Sequence, residues 1–354
     1  MDTITKSFLR QKFSEYYARA EIPLPRGFAE REWAFVSVDS LPDFVMNRHM
    51  AFESDIEFRG YVIKNPPLHA YYSSAYYENP GAERMDDKGW KGADLIFDID
   101  ADHLPKGGLE GAKRQIIRLY DLLEEDFGVE DMTIVFSGGR GYHIHVHDEE
   151  FRQMGSGERR EIVDYLMLEG VEFSETLPQT SQHLRVGRCM ARIIERAIEK
   201  GKVMEVLGVR KSTAERLETV FPANREKIYG GDFRQLPKPV RGKLPALFRR
   251  CVEHLRIHVD PPVTADVKRL IRLPGSLHGK TSLRVTPLSR DEVEGFDPFE
   301  DAVAFGDEGV RVRVKTGVRF RLMGEEFRLS RGKHTLPEFA ALYLICRNVA
   351  LYGW

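Results

Sequence analysis

The chain has 354 residues, 42% of them apolar and 31% charged, which suits one large or two modest domains with a real core and excludes a disordered chain. Its formal charge is only −2, so no global positive field attracts nucleic acid or a membrane, and any polyanion site has to be local. Three widely spaced cysteines, Cys189, Cys251 and Cys346, exclude a disulfide framework and any zinc finger built on paired cysteines, and they fit a reducing cytosol.

No basic stretch followed by an apolar one opens the sequence, and the longest apolar run, Phe339 to Cys346, is far below the roughly 20 residues of a membrane helix. A soluble cytoplasmic protein is expected. Residues 5–20 read as a helix, with Phe8, Phe13, Tyr16 and Tyr17 on one face. Short alternating runs between 30 and 75 read as strands. Leu95-Ile96-Phe97-Asp98-Ile99-Asp100 alternates apolar and acidic side chains, as a half-buried strand does. Residues 111–127 bring Ile116, Leu119, Tyr120, Leu123 and Phe127 to one helical face and then meet Gly128, a helix stop. Strands at Met132–Phe136 and Tyr142–His147 flank the turn Ser137-Gly138-Gly139-Arg140-Gly141.

From about 156 to 225 the sequence becomes charged and helical, with a capping box expected at Ser212-Thr213-Ala214-Glu215. The expected organisation is therefore a discontinuous α/β core, residues 1–155 and 226–354, interrupted by a helical subdomain at 156–225. Strands are expected at Leu255–Val259 and Ser282–Thr286, and a final helix with Thr335 as N-cap. Residues 241–290 hold eleven Lys and Arg against three Asp and Glu, whereas 291–308 hold eight acidic residues and no basic one.

Three clusters could carry chemistry. Asp98 and Asp100 project to one strand face about 7 Å apart at Cα. Two such carboxylates repel unless a cation sits between them, and hard oxygen ligands suit Mg²⁺ or Mn²⁺; the plainer alternative is the solvent face of an edge strand. The glycines around Arg140 let backbone approach a ligand, and Ser137 and the Arg140 fork suit phosphate oxygens. This turn is neither a Walker loop nor a dinucleotide fingerprint. His143, His145 and His147 share a strand face but spread over about 13 Å, too far for one zinc ion. They read as separate surface or site residues, His143 being nearest the turn. The third cluster, Asp260 to Thr281, sets Asp260 beside Lys268, Arg269, Arg272, His278 and Lys280, as polyanion recognition next to a metal would require.

In this order the clusters resemble the small catalytic subunit of archaeal and eukaryotic replicative DNA primases, in its archaeal form. The likeness spans nearly the whole chain: Arg31-Glu32-Trp33-Ala34-Phe35, Arg48-His49-Met50-Ala51-Phe52, Tyr72-Ser73-Ser74-Ala75-Tyr76-Tyr77, Gly92 through His103, Ser137 through His143, Asp260 through Thr281 and the helix from Pro337. The resemblance implies a primase-polymerase core of mixed β-sheet flanked by helices. It implies that Asp98, Asp100 and Asp260 bind two metal ions, and that Ser137, Arg140, His143 and His278 grip the triphosphate of an NTP or dNTP. It places Arg272, Arg48 and Lys280 at further nucleotide-contacting positions.

The same resemblance implies template-directed synthesis of short primers on single-stranded DNA, and a heterodimer with a large subunit carrying an iron–sulfur domain. Three scattered cysteines put no such cluster on this chain. Many relatives carry a zinc knuckle soon after the acidic strand; here Leu104-Pro105-Lys106-Gly107-Gly108-Leu109 runs straight into a helix, so no zinc is expected. The rival readings are a repair-type primase-polymerase that only extends primers, a two-metal nuclease or phosphatase, and a non-catalytic nucleic-acid-binding subunit.

Overall fold

Apolar side chains at alternate positions anchor the strand that carries the acidic pair. In Leu95–Asp100, Leu95, Phe97 and Ile99 are fully buried while Asp98 and Asp100 are half-buried. The structure, a computed structural model describing residues 1–353, pairs this strand antiparallel with Gly141–Val146, Asp98 opposite His143 and Asp100 opposite Gly141. Gly141–Val146 pairs on its other side with Met132–Phe136, and that strand with Thr286–Leu288. The acidic strand therefore lies at the edge of a four-stranded sheet.

Leu95–Asp100 and Met132–Phe136 run in the same direction on either side of Gly141–Val146, and the helix Gly108–Phe127 crosses over between them. That helix buries Ala112, Ile116, Leu119 and Leu123 at helical spacing and ends at Gly128, whose φ of 67° is left-handed. A second four-stranded sheet runs in the order Met46–Met50, Trp33–Ser37, Pro67–Ser73, Leu270–Arg272. Trp33, Phe35, Phe52 and Phe58 close its core. A three-stranded sheet of Gly332–Pro337, Gly309–Val314 and Ala350–Tyr352 ties the end of the chain to its beginning. Phe8, on the helix Thr3–Arg19, stacks on Tyr352 at 3.9 Å between ring centroids, and the Tyr352 N–H donates to Thr5 Oγ1 at 3.0 Å.

The α/β class holds, with helices flanking sheets. The strand pairings are antiparallel, where the resemblance implied a mixed sheet. The short turn at Ser137–Arg140 enforces this in the central pair, because a turn of this length returns the chain antiparallel.

The chain divides into two compact units, residues 1–160 with 259–354, and residues 161–258. The second is helical, and its core joins Val186, Met190 and Ile194 to Leu217 and Phe221. Sequence patterning ended the inserted helices at 225, but Leu244, Leu247 and Phe248 of the helix Leu244–Leu255 bury in that same core and carry the unit on to 258.

Three local expectations change. Ser212 lies inside the helix Lys211–Ala223, whose N-cap is Arg210 with no side-chain cap. Thr335 pairs with Arg311 in a strand, because Lys333 to Leu336 alternates along an available edge; Pro337 precedes the final helix, Glu338–Cys346. Residues 256–260 form no strand, and the strand expected at Ser282–Thr286 is the shorter Thr286–Leu288.

One glycine is demanded by the central pairing. A Cβ at Gly141 would lie 2.5 Å from the Ile99 carbonyl oxygen. Gly141→Ala is expected to cost about 1–3 kcal/mol of stability by forcing the two strands apart, measured as a lower urea midpoint with unchanged m-value.

Candidate active site

The edge position of Leu95–Asp100 leaves one side of its backbone free, and Asp260 uses it. The Asp260 N–H donates to the Asp98 carbonyl at 2.9 Å, which brings a residue from far along the chain beside the acidic pair. Asp260 is the N-cap of the short helix Pro261–Ala265, whose two leading prolines need no N–H acceptor there. Asp100 turns the chain after the strand, its carboxylate accepting from the Asp102 N–H at 2.9 Å.

Asp98 feels this company. Burial first, then the charges of Asp100 and Asp260, push its carboxyl up to about 7 against the opposing pull of Arg269 and Arg272. His143 Nε2 lies 3.5 Å from Asp98 Oδ1. Burial, reinforced by Arg272 and Arg269, lowers His143 to about 3, so it stays neutral, and its Nδ1 has no hydrogen-bond partner. Of the two readings the sequence left open, surface or site, burial excludes the surface one for His143 and His145. The Tyr72 hydroxyl and His145 Nδ1 are 3.0 Å apart, and successive ring centroids of the three histidines lie 6.0 and 6.3 Å apart.

Next to the acidic pair, where Gly141 is the strand partner of Asp100, stands a cradle of backbone. Ser137 Oγ accepts from the N–H groups of Gly139 and Gly141 at 3.4 and 3.3 Å and holds the turn. Gly138 has a φ of 75°, and a Cβ there would come within 2.6 Å of His278 Cβ, so glycine lets the two motifs touch. The Thr281 hydroxyl donates to the Gly138 carbonyl at 2.5 Å and lies 3.0 Å from His278 Nδ1. With its own proton on that carbonyl, Thr281 receives the His278 Nδ1–H, which leaves Nε2 a lone pair in the neutral ring. Burial, then Arg272, His69, Lys280 and Arg140, keep His278 far below the usual histidine range.

One cavity of about 550 Å³ gathers these groups: Asp98 and Asp100 on one side, with Ser137, Arg140, His143, Arg272, His278 and Lys280 around them. Arg140 is exposed and pairs with Asp102 at 2.5 Å, a surface pair that costs little to release. Asp260 lies beside the cavity through its bond to Asp98 and does not line it.

Arg48 is not brought in. Its Nε holds Glu32 Oε1 at 3.1 Å, because the Glu32 carboxylate is wholly buried and requires cations, Lys88 being the other at 3.6 Å.

Sequence reasoning missed His69, Phe44, Thr281, Arg347 and Asn348. His69, on the strand Pro67–Ser73, accepts from Arg272 Nη1 at 2.7 Å and from the Gly279 N–H at 3.3 Å, so it positions Arg272. Phe44 lies under Lys280, whose Nζ is 5.5 Å from the ring centroid. Arg347 and Asn348 line the same cavity from the turn after the final helix. Among the described residues, neither Arg272, Lys280 nor Arg347 pairs with a carboxylate. Only Thr281 carried a local signal, standing inside the polar run that follows Pro274-Gly275.

Carboxylates facing a glycine-backed cationic cradle are the layout of metal-assisted phosphoryl-transfer enzymes. A sequence profile described as "DNA primase small subunit" matches residues 97–290. The DNA primase small subunit PriS of Archaeoglobus fulgidus is 46% identical, covering 99% of each chain. That of Methanocella arvoryzae is 39% identical over 99% of this chain and 100% of its own. The chain belongs to the DNA primase small subunit family. A solved polymerase domain of Mycobacterium tuberculosis ligase D in complex with DNA covers 83% of each chain at 12% identity and a TM-score of 0.38, a likeness too low to carry weight.

His69 supplies a pH test. Burial, then Arg272 and Lys280, hold it at about 2, below the 6.5 of an unfolded histidine. Such a group stabilises fully above 6.5, and that stability drains away as pH falls, by up to about 1.4 kcal/mol per unit. His69→Gln is expected to flatten the decline in Tm between pH 7 and pH 4 in thermal scans.

Proposed function

We propose that this chain is the catalytic subunit of a DNA primase, joining nucleotides on a single-stranded DNA template into short RNA primers, with DNA as the alternative product. The single observation that carries the reading is the cavity in which Asp98 and Asp100 face Ser137, Arg140, His143, Arg272, His278 and Lys280. Carboxylates alone would suit any two-metal hydrolase; the cationic, backbone-lined half is what a nucleoside triphosphate needs.

The donor set fits a divalent ion. Asp98, Asp100 and Asp260 are hard oxygen donors, and burial, with the charges of Asp100 and Asp260, raises the Asp98 carboxyl, a penalty that a bound cation would offset. Among the described residues no three His, Cys, Asp or Glu side chains converge closely enough to hold an ion unaided. The nucleotide's own oxygens would complete the set. Mg²⁺ or Mn²⁺, rather than zinc, suits such ligands and supplies Lewis-acid stabilisation of charge on phosphate oxygens when bound.

The side chains do the rest by position. Asp98, Asp100 and Asp260 hold the acidic end. Ser137, its oxygen held by the N–H groups of Gly139 and Gly141, presents its hydroxyl proton to phosphate, Arg140 leaves Asp102 for it, and Arg272 is aimed by His69. Arg347 joins the cationic set. His278 grips phosphate through Nε2, which bears no proton in the free protein, so nucleotide binding draws one in. Lys280, steadied by Phe44, is placed against the same ligand.

In this reading the discontinuous unit carries catalysis and the helical unit is its insertion. A larger subunit forms the heterodimer that the family name implies, and the protein works in the cytoplasm; no helix among the described residues is long and apolar enough to cross a membrane. Arg48 belongs to the Glu32 pair rather than to the nucleotide.

The test is a metal-dependent synthesis assay on single-stranded DNA, with rNTPs and dNTPs supplied separately, with and without the large subunit. Primers begun de novo support a primase; extension alone supports the repair-type polymerase. Asp98→Ala, Asp100→Ala and Asp260→Ala are expected to abolish synthesis with the fold intact by circular dichroism. Near-normal synthesis by Asp100→Ala would sink the assignment. Arg140→Ala and His278→Ala are expected to raise the nucleotide requirement about 10- to 150-fold, the worth of one charged hydrogen bond, with template affinity unchanged.

Proton uptake is measurable separately. Calorimetry of nucleotide binding in buffers of different ionisation enthalpy is expected to show protons taken up by wild type and fewer by His278→Ala.

A further inference from the structure

Charge is divided unequally between the two units. Residues 161–258 hold eighteen Lys and Arg against thirteen Asp and Glu, a net +5 in a chain of −2, so the remainder carries −7. A basic unit inside an acidic chain is a local field of the kind that a near-neutral total conceals.

The excess is ordered on one element. On the helix Ser181–Glu199, Arg188, Arg192 and Arg196 recur every four residues, so they form one row with steps of about 6 Å along the axis. All three are exposed, and the opposite side of the helix is buried at Val186, Met190 and Ile194. The helix Leu244–Leu255 packs alongside and exposes Arg249 and Arg250. Among the described residues none of these five arginines makes an ion pair.

Nearby carboxylates do not cancel the row. Glu195 is committed to Arg225 at 2.6 Å and to the Tyr229 hydroxyl at 2.5 Å. Glu199 and Glu253 are exposed and stand against five cations. The two helices pack together, with Cys251 buried in their shared core and Cys189 packed against that core. Like charges four residues apart on a helix repel, and a polyanion laid along the row relieves it.

We infer that Arg188, Arg192 and Arg196, flanked by Arg249 and Arg250, form a binding surface for the phosphodiester backbone of single-stranded nucleic acid. The contact is electrostatic and blind to sequence, since arginine forks along a helix side meet phosphates rather than base edges. The inference rests on the template-directed reading of the active site, which supplies the reason for such a strand to be present. It assigns the helical unit a task distinct from gripping nucleotide.

The experiment titrates fluorescent single-stranded DNA into the full chain over a series of salt concentrations. Wild type is compared with R188Q/R192Q/R196Q and R188K/R192K/R196K. Each lost phosphate contact lowers the slope of log affinity on log salt by about 0.7, so the glutamine triple is expected to lose about two units and the lysine triple to keep them. The apparent nucleotide requirement at saturating template is expected to stay unchanged.

An unaltered slope in a folded glutamine triple overturns the proposal. So does intact DNA binding joined to lost association with a protein partner, which would make the row a protein dock. If the triple fails to fold, each single glutamine variant is expected to lose about 0.7 of slope, and none doing so is equally fatal. If wild type itself binds no single-stranded DNA, the template-directed reading falls instead.

Discussion

An edge strand with one open side is the constraint on which the rest of this site depends. Leu95–Asp100 is paired only through Gly141–Val146, so the Asp98 carbonyl on the other side has to find a donor. The Asp260 N–H is that donor. One backbone bond covers the edge and delivers a third carboxylate from a segment that follows the whole helical unit. The ladder on the paired side fixes which residues meet the acidic pair, and a slip of one residue would turn both aspartates into the core.

The electrostatics of the cavity follow from that placement. Asp98 is raised and His143 and His278 are buried and neutral, perturbations that gather where charged groups share one cavity. Burial first, and then nearby cations, keep His143 and His278 neutral, while burial with the charges of Asp100 and Asp260 raises Asp98. On the proposed reading, a polyanion bound with its cations would relieve both.

Much of this was legible in the amino-acid sequence, and the reasons differ by residue. The period-2 pattern of Leu95 to Asp100 declared a strand with paired carboxylates, and the glycines around Arg140 declared a close backbone approach. Gly141 and Gly138 have steric reasons that only the folded chain reveals. His69 was illegible because its partner Arg272 lies 203 positions away, and no local pattern marks a histidine that aims an arginine. The pairing of Arg48 was hidden for the converse reason: the buried Glu32 that it meets looks, in sequence, like one more surface acid. The reach of the helical unit to 258 was hidden because the helix Leu244–Leu255 sits in the same basic stretch that leads to the site.

The stacking of Phe8 on Tyr352 bears on the order in which the protein can be made. The unit that includes it is sewn from both ends of the chain, with Thr5 receiving an N–H from Tyr352. On the ribosome, residues 161–258 emerge as a continuous stretch with a core of their own and have all their partners within reach. The surrounding unit holds its first helix in waiting until residues near 350 appear. The insertion is finished before its host, and the acidic pair meets Asp260 only after the helices between them have been translated.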